Sequence, residues 1–153
     1  MRGPDQISGL LDAIETSPRG GRRRVGALAG APASGKSTLA EMIATRRTKS
    51  GHPTQVVPMD GFHISNTVLQ TRGLLHRKGA PETFDLRGFN DLIHRLAHEP
   101  DVLFPVFDRK LDAAIVGGGA LEPETGTVIV EGNYLLLDEP GWSDLRPHWD
   151  LSI

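Results

Sequence analysis

Gly30-Ala31-Pro32-Ala33-Ser34-Gly35-Lys36-Ser37, with Thr38 behind it, is the stretch on which the fold turns. It fits G-x-x-x-x-G-K-[ST], the phosphate-cradling P-loop, a pattern that carries weight only between a strand and a helix. Both flanks are present. Val25-Gly26-Ala27-Leu28-Ala29 is a short apolar run after a charged segment and reads as a buried strand. Leu39, Met42 and Ile43 then recur at helical spacing among good helix formers. The glycines let the backbone turn tightly with its N–H groups aimed at an oxyanion. The helix start adds unpaired N–H groups and the positive end of its dipole. Lys36 is placed to reach the β/γ-phosphates and the Ser37 hydroxyl to ligate Mg²⁺. An ordinary Gly-rich turn explains the glycines but not the lysine and serine together. Residues Gly30 to Thr38 are therefore expected to bind a nucleoside triphosphate.

Upstream, Asp5 precedes Ile7, Leu10, Leu11 and Ile14, which share one helical face, and Pro18 stops the run. Arg19 to Arg24 supplies four arginines among glycines and reads as a solvated lead-in to the first strand. Downstream, Gly51-His52-Pro53 breaks the P-loop helix, and Thr54-Gln55-Val56-Val57-Pro58-Met59 reads as a second strand. That strand delivers Asp60-Gly61-Phe62-His63 at its carboxyl end, the edge where open α/β sheets bind ligands. Thr71 to Thr83 is a polar, basic, Gly/Pro-containing loop carrying Arg72, Arg77 and Lys78. Asp85 then opens a helix with Phe89, Leu92, Ile93 and Leu96 on its apolar face. His94 and His98 on that helix are expected at the surface. Val102 to Phe107 is the next apolar stretch, Gly117-Gly118-Gly119 a flexible turn, and Thr127-Val128-Ile129-Val130 a buried strand ending in Glu131. Trp142 and Trp149 read as packing aromatics.

Strands alternating with helices predict an α/β fold, a parallel sheet flanked by helices in three layers. Asp60 and Glu131 then fall on the same sheet edge as the P-loop. Phosphoryl transfer needs one acid to take the proton of the attacking hydroxyl and another to hold the metal. Asp60 is the expected base, forming a catalytic pair with Lys36, and Glu131 is expected to join Ser37 at the metal.

The chain of 153 residues carries 38% hydrophobic and 24% charged residues, a balance that describes a folded domain. A formal net charge of −2 gives no basic field for nucleic acid, and no run is long enough to span a bilayer. The absence of cysteine is compatible with a reducing cytoplasm, the expected location.

The order of P-loop, strand plus Asp60-Gly61-Phe62, basic loop plus Phe84-Asp85, Asp108-Arg109, and Glu131-Gly132-Asn133 resembles the phosphoribulokinase/uridine kinase family. The run from Arg72 to Asp85 looks most like the branch with bacterial pantothenate kinase and the fructose-type, nucleoside kinase-like proteins. The resemblance implies transfer of the γ-phosphate of ATP, with Mg²⁺, to a hydroxyl of a small molecule. It implies acceptor contacts at Asp60, His63, Arg77, Asp85, Asp108 and Arg109, with Asp85 equally readable as a helix cap. Asp108, Arg109 and Asp112 stand where pantothenate kinases carry a Tyr- and His-containing segment, which favours a polyhydroxylated acceptor such as fructose over pantothenate or a nucleoside. Residues 1–153 read as one kinase domain, with an N-terminal helix over 5–17 and a nucleotide-binding core over 22–153. Family members continue into a basic lid and further strands, so the chain is expected to stop short of the lid. A homodimer is a further expectation. The rival from another class is a nucleotide-binding module without turnover. A P-loop GTPase is disfavoured, because no N-K-x-D motif occurs.

Overall fold

The structure is a computed structural model that describes residues 4–16 and 22–153. Pro18 and Arg19 lie outside the described residues. Helix α1 (Pro4–Thr16) leads to strand β1 (Arg24–Ala29), the P-loop, and helix α2 (Lys36–Lys49). Strand β2 (Thr54–Pro58) runs into a single 3₁₀ turn over Met59–Phe62, then short helix α3 (Asn66–Thr71). Helix α4 (Leu86–Leu96), the hairpin β3 (Val102–Asp108) and β4 (Ala113–Leu121), β5 (Thr127–Gly132) and β6 (Leu151–Ser152) complete the order.

Four strands form a parallel sheet in the order β2-β5-β1-β6, with helices on both faces. The period-2 alternation of side chains assigns each residue to a face. On β5, Val128 and Val130 join the core under α4, whereas Ile129 joins the core under α1 and α2. β5 is buried along its whole length, which explains its unbroken apolar reading. On one face, Ile7 and Ile14 of α1 pack with Leu39, Ala40 and Ile43 of α2. On the other, Phe89, Leu92, Ile93 and Leu96 of α4 pack with Phe62, Phe84 and Trp142. Each fully buried large side chain contributes roughly 1.5–3 kcal/mol.

Two expectations are corrected. The glycines 117–119 are not a flexible turn but the middle of β4, paired antiparallel to β3. The register slips between Phe104 and Val106, and Gly117 has a φ of 64°. A Cβ on Gly119 would lie 2.2 Å from the Phe104 ring, so glycine is what lets the strand cover that ring. The reversal lies instead at 109–112, where Asp108 Oδ1 accepts the Lys110 and Leu111 N–H groups at 2.9 and 3.0 Å. The arginine lead-in is likewise not solvated throughout. Arg23 is only 7% exposed and donates to the carbonyls of Thr125, Leu96, Pro100 and Glu122 at 2.8, 2.9, 2.5 and 3.3 Å, and also to that of Glu99. Its guanidinium satisfies the loop ends at the sheet's amino edge. Arg22 forks onto Asp150, whose Oδ2 also accepts the Val25 N–H at 2.8 Å, fixing the entry to β6 beside β1.

His94 and His98 are exposed, and the two tryptophans pack inward, Trp142 within the α4 core and Trp149 against it. No described helix is long and apolar enough to cross a membrane.

Candidate active site

The carboxyl ends of β1, β2 and β5 converge, because the parallel register sets Glu131 between Leu28 and Pro58. From β1 the chain enters the P-loop. Ala33 and Gly35 adopt left-handed φ values of 58° and 84°, which turn successive N–H groups toward the loop's centre. Gly35 is the N-cap of α2, with no side chain spent on its first turn, so those donors stay available to an anion. A Cβ on Gly30 would lie 2.8 Å from Ser34 Oγ, so a side chain there would turn the serine hydroxyl from its present position. Lys36 Nζ lies over the loop, 3.4 Å from the Ala31 carbonyl oxygen.

From β2 the 3₁₀ turn carries Asp60. A Cβ on Gly61 would lie 2.0 Å from the Pro105 carbonyl oxygen, so the missing side chain lets β3 seat directly against this turn. His63 Nδ1 sits 2.7 Å from the Asp60 carbonyl oxygen, which can only accept; Nδ1 is therefore the protonated nitrogen. The imidazole is held between the Phe84 and Phe107 rings, with centroids 4.3 and 4.8 Å away.

From β5 comes Glu131, 5% exposed, its Oε1 accepting the Ser37 hydroxyl at 3.1 Å. Burial pushes its pKa up; the Ser37 hydrogen bond opposes this, and the Asp60 charge adds to the rise. A hydroxyl and a buried carboxylate in contact at the P-loop form an oxygen donor set of the kind Mg²⁺ takes, so the residues present fit that ion.

A cleft of about 560 Å³ is lined by Pro32 to Thr38, Asp60, Arg109 and Asn133. A smaller one of about 180 Å³ beside it is lined by Ser37, Glu41, Asp60, Phe107, Arg109 and Glu131, among others. Together they unite the phosphate nest, the expected base, the expected metal pair and one arginine from the hairpin. The Asn133 Oδ1 is buried without a hydrogen-bond partner at the wall of the larger cleft. Its place in Glu131-Gly132-Asn133 was the only sequence signal for it.

The remaining expected contacts are spread more widely. Asp85 caps α4 through the Gly88 N–H at 3.0 Å while its own N–H donates to the Phe62 carbonyl, so the cap reading holds and the residue stays close to the Asp60 turn. Arg77 is exposed and paired with Glu82, away from the cleft walls just described. Asp108 spends one oxygen on the hairpin turn, and Asp112 is engaged by Lys78 and Asn66.

The raised pKa of Glu131 gives a test on the ligand-free protein. A carboxyl whose folded pKa lies above its unfolded value adds stability below the unfolded pKa, and loses it as pH rises through the folded one. At neutral pH the wild type therefore carries a buried charge that glutamine lacks, while the glutamine Oε1 still accepts from Ser37. Glu131→Gln is expected to raise the melting temperature at neutral pH, with the gain shrinking as pH falls through the carboxyl titration. A pH-independent loss of stability on thermal scans would contradict this.

No family model matches the chain. A solved structure described as a candidate fructose transport system kinase from Silicibacter sp. TM1040 superposes with a TM-score of 0.91 at 50% identity, over 95% of this chain and 72% of that one. A candidate uridine kinase of Schizosaccharomyces pombe is 36% identical over 135 residues, 81% of this chain and 56% of that protein. The pantothenate kinase of Vibrio cholerae is 36% identical over 83 residues, 52% of this chain and 27% of that protein. The chain thus spans roughly half or less of these two curated relatives. The chain belongs to the family of P-loop kinases that includes uridine kinase-like proteins and pantothenate kinases.

Proposed function

We propose that this chain is the catalytic core of an ATP-dependent kinase that phosphorylates a hydroxyl of a sugar-like acceptor. The observation that carries the reading is the single cleft uniting the P-loop, Asp60 and Arg109, with the Ser37–Glu131 pair in its neighbour. Residues Gly30 to Thr38 cradle the phosphates, their N–H groups and Lys36 meeting the charge of the β and γ oxygens. Ser37 and Glu131 would hold Mg²⁺, which when bound would neutralise charge on the transferring phosphate. The Asp60 carboxylate takes the acceptor's hydroxyl proton as the acceptor oxygen forms its bond to the γ-phosphorus. The bond from that phosphorus to the β–γ bridging oxygen breaks, ADP leaves, and the Asp60 proton passes to solvent. Positioning and electrostatics supply most of the rate, since no covalent enzyme intermediate is required.

The pocket beside the phosphate nest carries Asp60 and Arg109, with Phe107, stacked on His63, in its wall. Groups placed to hydrogen-bond several hydroxyls favour an acceptor that supplies them over one that lacks them. The likeness to the Silicibacter protein points the same way. The test is a panel of fructose, other sugars, pantothenate and uridine, assayed with Mg-ATP on the natural full-length protein. The expected outcome is the highest kcat/KM with a sugar, by at least about a hundredfold over pantothenate. A preference for pantothenate or uridine would overturn the sugar assignment and leave the kinase assignment standing.

A further inference from the structure

We propose that Lys78 is a positioning residue that sets the aim of Arg109 by locking the tip of the β3–β4 hairpin to the basic loop. The inference rests on the kinase reading of the cleft. Arg77 points out to solvent, but its neighbour turns inward: the Lys78 side chain is 20% exposed. Its Nζ donates to Asn66 Oδ1 at 2.6 Å, to Asp112 Oδ1 at 2.8 Å and to the Asp112 carbonyl at 3.4 Å. It also lies 5.3 Å above the centre of the Phe107 ring. Asn66 closes the triangle, its Nδ2 donating to Asp112 Oδ2 at 2.9 Å.

The object of these contacts is a strained residue. Asp112 has a φ of 50°, and together with Asp108 it brackets the three residues of the hairpin tip, Arg109, Lys110 and Leu111. Leu111 is 65% exposed and belongs to neither core cluster of the described residues. The tip is therefore fixed at one end by the Asp108 cap and at the other by Lys78 and Asn66. Arg109 is the tip residue that reaches the clefts, lining both the phosphate nest and the Ser37–Glu131 pocket, and among the described residues it has no ion-pair partner. A free guanidinium over a phosphate nest stabilises negative charge only if its backbone is held, and a misplacement of about 1 Å can cost about a hundredfold in rate. An isolated exposed ion pair would be worth under about 1 kcal/mol. Here one carboxylate oxygen, one backbone carbonyl, one side-chain amide oxygen and one ring act on a single half-buried ammonium.

The test is a double-mutant cycle of Lys78→Met and Arg109→Met, with Lys78→Arg as the conservative control and Asp112→Asn as a second route to the same loss. Lys78→Met is expected to lower acceptor kcat/KM by about 10–100-fold while leaving Mg-nucleotide affinity unchanged. In the Arg109→Met background the same change is expected to cost less than about twofold, because the residue it positions is gone. Lys78→Arg is expected to keep at least about a third of wild-type activity, and Asp112→Asn to reproduce the Lys78→Met pattern. Losses that multiply in full, or a Lys78→Met enzyme with wild-type kinetics, would overturn the proposal. Amide hydrogen exchange supplies a reading independent of turnover. Lys78→Met is expected to deprotect the Lys110 and Leu111 amides but not those of β1, β5 or α2. Unchanged exchange at the tip would sink the latch even if the kinase reading stood. A deprotected tip in a protein that phosphorylates no acceptor would sink the kinase reading and keep the latch.

Discussion

Asp60→Asn is expected to cut phosphoryl transfer by about 10²–10⁴-fold while leaving Mg-nucleotide affinity within about tenfold of wild type. The side chains have the same shape, and the 3₁₀ turn that presents position 60 is held by other groups. Gly61 lets Pro105 approach, His63 donates to the Asp60 backbone carbonyl, and Met59 is fully buried. Among the described residues nothing hydrogen-bonds the Asp60 carboxylate, so an amide should neither unfold the turn nor orphan a neighbour. What it removes is a group able to accept a proton beside the phosphate nest. The check is steady-state transfer alongside equilibrium nucleotide binding on the same preparation. Unaffected transfer would mean that Asp60 is not the base.

Lys36→Ala is expected to act one step earlier, weakening nucleotide binding itself by about 10–100-fold, the range for losing a charge-assisted hydrogen bond. Lys36 stands at the first position of α2, and its one hydrogen bond among the described residues is to the Ala31 carbonyl at a long 3.4 Å. Its removal should therefore leave the melting temperature of the ligand-free protein nearly unchanged. Titration calorimetry with Mg-ATP reads the affinity. Wild-type affinity in this variant would contradict the P-loop assignment. Together the two substitutions separate binding from chemistry, since Asp60→Asn is expected to spare the nucleotide binding that Lys36→Ala weakens.

The parts of the molecule that were legible in the sequence are those whose pattern is local. The P-loop carries its own punctuation, and the alternation of apolar strands with amphipathic helices is enough to put Asp60 and Glu131 at one sheet edge. The Ser37–Glu131 hydrogen bond follows from that topology. The hairpin was illegible for a physical reason. Gly117-Gly118-Gly119 has the composition of a turn, yet it forms a strand, because a register slip and the Phe104 ring demand residues without side chains. Arg23 reads as solvent-facing charge until its carbonyl partners, contributed by residues 73 to 102 positions away, are brought to it. The inward turn of Lys78 beside an outward Arg77 is equally non-local, set by Asn66 and Asp112 from other elements. Neither residue type nor spacing distinguishes those two neighbours. Tertiary context does.

The central claim is that this cleft moves a phosphoryl group onto a hydroxyl instead of merely holding a nucleotide. The measurement that bears on it most directly is ADP release from Mg-ATP, followed with and without a sugar acceptor. Release is expected to depend on the acceptor, to exceed the rate with water alone, and to fall away in Asp60→Asn. Tight Mg-ATP binding with no acceptor-dependent release, in both this chain and the natural full-length protein, would contradict it. That result would make the cleft a nucleotide-binding module without turnover.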